Sequence, residues 1–238
     1  MSRSTSGPRW RRAALVAGLA ALFPLAGCAG PLKQIARNVQ HLYRADSLNG
    51  SLPKQRVAVL LASSRPELGQ WRQSASDALV GVLREEGPDL AVVPWEETVS
   101  RINAEEITDA YAEMLSLYET TGILKKTHLR RIGTTLNSRY IAQPVLITFT
   151  ERSNTRLGFF GLRLVETREA TARGRLQIWD TEEAKIVWTA ESEATLAGEN
   201  VLARPIGFEV IRYVWQDLVR QLLVEDARLA ESGGPGDG

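Results

Sequence analysis

Cysteine and histidine are scarce in this sequence, and their scarcity excludes several kinds of site. The 238 residues include one cysteine, Cys28, so the chain forms no internal disulfide. The two histidines, His41 and His128, have no cysteine or carboxylate at metal-ligand spacing, so we predict neither a metal site nor a cofactor. The sequence also lacks a Gly-x-Ser-x-Gly turn and a Walker loop. We therefore predict no catalytic residues and expect a protein that is not an enzyme.

An excess of positive charge is also missing once the first residues are set aside. The formal net charge is +1, but four arginines precede Cys28: Arg3, Arg9, Arg11 and Arg12. Without residues 1–27 the chain keeps 25 of its 29 basic side chains against 28 acidic ones, a formal charge of −3. Nucleic-acid binding needs a basic face that neutralises phosphates, so we do not expect a nucleic-acid partner.

The start of the chain contains a lipoprotein signal. Residues 1–12 are basic, and Ala13–Ala26 is an apolar run shorter than the about 20 residues that a transmembrane helix needs. Leu25, Ala26, Gly27 and Cys28 together look like a bacterial lipobox, the motif at which a signal peptide is removed and the cysteine is lipidated. The sequence therefore predicts a signal peptide over residues 1–27 and acyl chains on Cys28, which anchor the protein to a membrane.

The position after the cysteine bears on which membrane holds the protein. Ala29 stands there rather than aspartate. This is similar to lipoproteins that are sorted to the outer membrane and face the periplasm, and retention in the inner membrane is the alternative. Residues 28–53 are predicted to be a lipidated tether. The spacing of apolar residues within the tether indicates a short amphipathic helix that includes Leu32, Ile35, Val39 and Leu42. This helix packs against the domain or lies on the membrane surface.

Residues 54–230 are predicted to be a single α/β domain. Arg56–Ala62 and Leu90–Pro94 read as short buried strands, and an apolar helical face over residues 71–83 lies between them. This order predicts a βαβ unit with parallel strands. Ser63 and Ser64 follow the first strand, where α/β proteins bind ligands, but without a glycine-rich turn we interpret them as a simple turn.

The second half of the predicted domain is rich in strands. Residues 95–137 are predicted to be helical, and Arg139–Thr150 a strand in which Pro144 indicates an edge position or a bulge. Leu162–Trp179 and Lys185–Leu196 alternate as an antiparallel hairpin with one buried face. Pro205 opens a last amphipathic helix, and residues 231–238 are predicted to be a disordered tail. The fold class is therefore α/β (α+β): a βαβ unit, helices, a hairpin and a C-terminal helix in a three-layer-like domain.

One predicted loop carries unusual apolar bulk. Asn154–Gly161 reads as a glycine-flanked loop that includes Leu157, Phe159 and Phe160. These side chains either fold back on the core or form an exposed patch for a partner protein. We therefore name Leu157, Phe159 and Phe160 as a candidate partner-binding loop.

The pattern of the domain resembles a known family. The first strand and helix, the segment Leu129–Ile141, and the module Leu176–Asp180, turn, Ile186–Trp188 are similar to the CsgG/LpoB group of envelope lipoproteins. The resemblance covers roughly residues 55–225, and it implies an α/β domain on an outer-membrane anchor that acts by binding. Relatives commonly carry glycine in the turn after Asp180, whereas this chain has Thr-Glu-Glu-Ala.

The resemblance implies an accessory role for a lipid-anchored periplasmic protein in outer-membrane or cell-wall assembly. The implied partner is another envelope protein. The alternative is a subunit of a homo-oligomeric secretion complex, and a cell-wall hydrolase is the rival from another class. Membrane-spanning strands are not expected from the hairpin, because Glu166 and Arg168 interrupt the more apolar face of Leu162–Trp179.

Overall fold

A single mixed sheet forms the centre of the molecule. The computed structural model describes residues 33–44, 48, 50, 52–159, 162–200 and 206–232. Within them the strands are β1 (Lys33–Arg44), β2 (Arg56–Val59), β3 (Ser63–Ser64), β4 (Ala91–Val93), β5 (Tyr140–Phe159), β6 (Leu162–Asp180) and β7 (Lys185–Asn200). The strand order is β1-β7-β6-β5-β2-β4, and β3 also pairs with β5. The pairs β2–β4, β2–β5 and β3–β5 are parallel, whereas β5, β6, β7 and β1 pair antiparallel.

Helices cover both faces of this sheet. They are α1 (Arg72–Glu86), α2 (Trp95–Ala104), α3 (Thr108–Thr121), α4 (Lys126–Leu136) and α5 (Gly207–Ser232), with short 3₁₀ helices at Leu52–Lys54 and Pro66–Trp71. Val57 and Val59 of β2 pack in one core with α1 and α5, whereas Ala58 and Leu60 pack in a second core with α2, α3 and α4. Alternate strand residues therefore enter opposite cores, and the predicted three-layer α/β domain is confirmed. None of the helices in these residues is long and apolar enough to cross a membrane.

The predicted βαβ unit is confirmed. Arg56, Val57 and Ala58 of β2 pair in parallel with Ala91, Val92 and Val93 of β4, and α1 connects the two strands. β2 is buried on both faces, which explains why its sequence is a continuous apolar run rather than an alternating one.

The predicted hairpin is also confirmed, with one residue on the opposite face. Ala170, Ala172, Leu176 and Ile178 of β6 are fully buried under α5, together with Trp188 of β7. Between the pairs Ile178↔Trp188 and Trp179↔Ile186 the register shifts by one residue. Ile186 therefore packs in the second core, and its predicted place beside Trp188 is wrong.

The helix predicted in the tether is wrong. Residues 33–44 form the edge strand β1, which pairs antiparallel with β7 from Lys33↔Gly198 to Arg44↔Trp188. Apolar residues three or four positions apart fit one face of a helix. The hydrogen-bonding partners of this segment, however, lie about 150 residues further along the chain, beyond the reach of any local pattern.

Pro144 lies inside the sheet, so the edge position is wrong, whereas the alternative prediction of a bulge agrees with the irregular pairing around it. β5 runs between β6 and the β2/β3 side, and Pro144 pairs with Leu176. The amide of Leu60 donates to the carbonyl of Ala142, so the backbone groups of Ala142, and of Pro144 two residues later, point toward the β2 side. The backbone groups of Pro144 face the gap between β2 and β3. Because neither strand pairs with Pro144, the absence of an N–H on proline removes no hydrogen bond between strands. A register shift follows between Leu146 and Thr148.

The loop predicted at residues 154–161 is largely strand. β5 and β6 continue as an antiparallel pair as far as Phe159↔Leu162, and residues 160 and 161 lie outside the described residues. The last predicted helix is confirmed as α5, whose buried stripe includes Val210, Val214 and Leu218. Pro205 and residues 233–238 of the predicted tail lie outside the described residues.

Candidate functional site

A cavity opens where the parallel strands end. It has a volume of about 620 Å³, and four segments of the chain line it. Its lining comprises Ser63, Ser64, Arg65, Pro66, Gly69, Arg72, Tyr118, Glu119, Gly122, Val145, Leu146, Ile147 and Arg175. The carboxyl ends of parallel strands are the usual place for ligands in α/β proteins, because the chain turns away there and leaves a crevice.

The connection from β2 to α1 fixes the first wall of the cavity. Arg72 is the first residue of α1, and its Nε donates a hydrogen bond of 2.6 Å to the carbonyl of Ala62. Ser76 Oγ donates to the carbonyl of Arg72 at 2.8 Å and accepts from the amide of Ala62 at 2.9 Å. These three bonds tie the end of the strand to the first turn of α1. The guanidinium of Arg72 is thereby held at the cavity wall, 3.9 Å from Glu119 on α3.

The end of α3 forms the opposite wall. Gly122 caps α3 in the left-handed conformation, with φ of +72°, and its amide donates to the carbonyl of Tyr118. The hydroxyl of Tyr118 donates to Gln177 Oε1 at 2.7 Å. Burial raises the pKa of Tyr118 to about 12, against the opposing effect of the positive charge of Arg175. The hydroxyl therefore stays protonated at neutral pH and acts as a hydrogen-bond donor.

The side of the cavity formed by β6 carries an arginine–glutamate cluster. Glu191 of β7 accepts hydrogen bonds from Arg175 Nε at 2.7 Å and from Arg173 Nε at 3.0 Å. Its side chain is only 6% exposed, whereas both arginine side chains are about 40% exposed. Burial raises the pKa of Glu191, but the hydrogen bonds from Arg175 and Arg173, together with their positive charges, outweigh burial and bring the pKa below its ordinary value. Two guanidinium groups thus share one carboxylate, and the cluster keeps a positive charge.

Charge and apolar surface together define what the cavity can bind. Arg65, Arg72 and Arg175 contribute positive charge, and Glu119 is the one acidic residue among the described residues of the lining. Pro66 and the β5 residues 145–147 add an apolar wall. Guanidinium groups bind carboxylates and phosphates through paired N–H donors, so the cavity is suited to an anionic group attached to an apolar body.

The hydroxyl groups of the cavity are bonded to groups that cannot act as bases. Ser64 Oγ donates to the carbonyl of Arg65 at 3.1 Å, and Ser63 Oγ lies 3.3 Å from the donor Nε2 of Gln143. A serine nucleophile needs a neighbouring base that accepts its proton, and a carbonyl or an amide N–H does not supply one. The described lining therefore favours binding over nucleophilic chemistry.

The sequence did not identify this site. Ser63 and Ser64 were predicted to be a simple turn, but they form β3, pair with Val145 and Leu146, and line the cavity. Their position after the first strand was the signal that pointed there. The arginines carried no such signal, because Arg65, Arg72 and Arg175 come together only through the packing of the hairpin on the βαβ unit.

The residues that the sequence did single out lie elsewhere. Leu157 and Phe159 belong to the distal part of the β5–β6 ladder, where Leu157 pairs with Val165 and Phe159 with Leu162. Phe160 and the lipobox residues 25–28 lie outside the described residues. The role of these residues in partner binding and lipidation remains a prediction. Among the described residues no group of three or more histidine, cysteine, aspartate or glutamate side chains could hold a metal ion.

Comparison with known proteins finds solved structures with a weak likeness of fold and low sequence identity. No family model and no curated protein matches the sequence. Among solved structures, the PelC dodecamer from Paraburkholderia phytofirmans matches with 13% identity and a TM-score of 0.45, covering 79% of this chain and 98% of that one. Lipoprotein GNA1162 from Neisseria meningitidis matches with 13% identity and a TM-score of 0.33, covering 73% and 99%.

The C-terminal domain of LpoB from Salmonella enterica also matches, with 10% identity and a TM-score of 0.32, covering 66% of this chain and 99% of that domain. LpoB is one of the two proteins after which the family suggested by the sequence is named. Matches at these scores carry no argument about function, so membership in the CsgG/LpoB group stays a prediction.

Proposed function

We propose that this protein is a lipid-anchored, non-enzymatic accessory protein of the bacterial cell envelope. In this proposal Cys28 carries the lipid, the protein is held on the outer membrane facing the periplasm, and the α/β domain binds another envelope protein. The observation that carries the binding role is the cavity at the carboxyl ends of β2 and β3, where Arg65, Arg72 and Arg175 stand beside an apolar wall.

The chemistry of the cavity supports recognition of an anionic, partly apolar group. Arg65 is exposed, whereas Arg72 and Arg175 are held in place by Ala62 and Glu191. Fixed donors bind a carboxylate with little loss of side-chain freedom on binding, which favours affinity. An acidic segment of a partner protein, with an apolar residue against the β5 wall, satisfies both parts of the site.

The anchor is tested by lipid labelling in cells. Wild-type protein is expected to incorporate a labelled fatty acid. Cys28→Ser is expected to lose the label and keep its signal peptide, because the thiol sulfur is the atom to which the lipid is attached. Ala29→Asp is the matched control: it should keep the label but fractionate with the inner membrane in bacteria that use this sorting rule. Continued labelling of Cys28→Ser would contradict the anchor.

The binding role is tested by cross-linking the protein to its partners in intact membranes. Arg65→Ala should weaken recovery of the cross-linked partner at least several-fold, because it removes an exposed guanidinium from the cavity. Arg131→Ala is the matched control, since Arg131 is an exposed arginine on α4 away from the cavity. Equal recovery with both variants would show that the cavity is not the binding site.

The predicted loop is tested in the same assay. Changing Phe159 and Phe160 to serine should leave the domain folded and abolish recovery of the partner if the loop takes part in binding. Unchanged recovery would remove Leu157, Phe159 and Phe160 from the site.

Sizing of the lipidated protein in mild detergent distinguishes an accessory protein from a subunit of a large homo-oligomer, and a ring-sized particle would contradict the accessory role.

A further inference from the structure

Strand β1 presents an unusual edge to its surroundings. Among the described strands it pairs with β7 alone, so none of these strands hydrogen-bonds to its other edge. Its apolar side chains are also open: Ile35 is 40% exposed, Val39 39% and Leu42 49%. A long edge strand with exposed apolar residues is rare in soluble domains unless another surface covers it.

This edge is fixed to the rest of the domain. Arg37 Nη1 forms an ion pair of 2.9 Å with Asp217 Oδ1 of α5, and its guanidinium lies 4.4 Å from the ring centre of Tyr213. Val224, which is 49% exposed, follows Asp217 by seven residues and lies on the same side of the helix two turns later. We call Ile35, Val39, Leu42 and Val224 the β1 edge surface.

The charge of β1 selects among the surfaces that could cover it. The strand contains Lys33, Arg37 and Arg44 and no acidic residue. Asp217 pairs with Arg37, and Lys33 and Arg44 are the first and last residues of the strand. Antiparallel pairing with β1 of a second copy would bring these like charges together, which is destabilising. Apolar side chains flanked by basic ones are the composition of segments that rest on anionic lipid.

The length of chain before β1 points to the same surface. Cys28 precedes Lys33 by five positions, and five extended residues reach at most about 17 Å. A lipid on Cys28 therefore keeps the start of β1 close to the bilayer. The strand itself is about 40 Å long, and its exposed apolar residues occur near its start, in its middle and near its end.

From these observations we infer that the β1 edge surface lies flat on the membrane that holds the lipid anchor, with its apolar side chains among the head groups and its basic residues against anionic lipid. The inference rests on the proposed lipidation of Cys28. It assigns to the membrane the sheet edge formed by the strand that follows the anchor in the sequence. The cavity, which is formed by other strands and by α1 and α3, is then left free for a partner.

The test places a fluorescent probe at single sites of the lipidated protein. Because Cys28 is the one cysteine and its thiol carries the lipid, an introduced cysteine is the only free thiol. Ile35→Cys, Val39→Cys and Leu42→Cys are each labelled and reconstituted in vesicles of phosphatidylethanolamine and phosphatidylglycerol. Ile123→Cys, between α3 and α4, is the matched control because Ile123 is also aliphatic and is 57% exposed.

A strand that lies flat gives strong quenching by nitroxide-labelled lipids at all three β1 positions, with blue-shifted emission. The Ile123→Cys probe should be quenched by aqueous iodide only. Replacing phosphatidylglycerol with phosphatidylcholine should reduce the lipid quenching at Val39→Cys, since the basic ends of β1 then lose their anionic partners. Lys33→Gln combined with Arg44→Gln should reduce it equally in the anionic vesicles.

Other outcomes assign the edge differently and overturn the inference. Lipid quenching at Ile35→Cys alone means an upright strand. A probe at Val39→Cys shielded from both quenchers, in a particle of doubled mass, means a second copy on the edge. Shielding that appears only after an envelope extract is added means another protein's strand. Failure of the anchor is separable, because the protein then stays off the vesicles and Cys28 itself accepts the fluorophore.

Discussion

The contact between α4 and the turn after β6 allows a sharp test of the packing. Gly133 is buried in α4 and faces Thr181, which is 5% exposed. A Cβ added at Gly133 would lie 2.5 Å from Thr181 Oγ1 and 2.7 Å from Thr181 Cγ2, well inside van der Waals contact. Thr181 cannot move aside easily, because its amide donates to the carbonyl of Arg139 at 2.8 Å and its hydroxyl donates to that of Ser138 at 3.0 Å.

The magnitude follows from two opposing effects of Gly133→Ala. Overpacking of a well-packed core costs about 1–3 kcal/mol. The alanine recovers about 0.4–1 kcal/mol by lowering the backbone entropy of the unfolded chain. We expect a net loss of about 1–2 kcal/mol in the free energy of unfolding, which lowers the melting temperature by about 2–8 °C in a domain of this size.

Gly81 provides a matched control with the opposite sign. It lies in α1, is exposed, and has no atom within 4 Å of an added Cβ. Gly81→Ala should therefore raise the free energy of unfolding by about 0.4–1 kcal/mol. Both variants are measured by urea unfolding followed by circular dichroism, and by thermal melting.

A double-mutant cycle decides whether Thr181 is the cause. Thr181→Gly removes the atoms that an alanine at position 133 would strike, although it is itself destabilising because the bond to Ser138 is lost. In the Thr181→Gly background, Gly133→Ala should keep only its entropic gain of about 0.4–1 kcal/mol, so the coupling energy equals the overpacking cost of about 1–3 kcal/mol. The reasoning is refuted if Gly133→Ala is equally destabilising in both backgrounds, or if it stabilises the wild-type protein as Gly81→Ala does.

Two further predictions concern the cavity. Glu191→Gln should make the free energy of unfolding less dependent on pH in acid. The pKa of Glu191 in the folded protein is below its ordinary value of 4.5, so its bonds to Arg175 and Arg173 stabilise the wild type above that pH. This stabilisation is lost as the pH falls through the folded-state pKa, and the variant does not have it to lose. Urea unfolding across acidic pH checks this, and parallel curves for the two proteins would contradict it. Tyr118→Phe should lower the free energy of unfolding by about 1–2 kcal/mol, because buried Gln177 loses its donor. A thermal melt unchanged from wild type would rule that out.

Much of the fold was readable from local pattern. The apolar run of β2, the helical stripe of α5 and the alternation of β6 each report which faces of a segment are buried, and that information lies within a few residues. The end of α3 at Gly122 is local in origin too, because the cap needs a positive φ that glycine adopts without strain.

The errors share one physical origin, which is pairing between distant residues. Residues 33–44 form a strand because β7 supplies hydrogen bonds from Lys33↔Gly198 onward, and no property of the segment alone distinguishes this from a helix. Pro144 is tolerated in the middle of the sheet because β2 ends and β3 begins beside it. Both outcomes depend on where other strands lie.

The cavity shows the same division between sequence and tertiary structure. The sequence alone determined that a buried strand begins at Arg56, that the chain has one cysteine, which lies in the predicted lipobox, and that two alternating strands lie near the end of the domain. Only tertiary structure brought Arg65, Arg72 and Arg175 to one cavity, because their separations in sequence are bridged by the packing of α1, α3 and the hairpin on a common sheet. Periodicity records which side of a segment is buried, whereas the neighbours it is buried against are set by the long-range contacts of the folded chain.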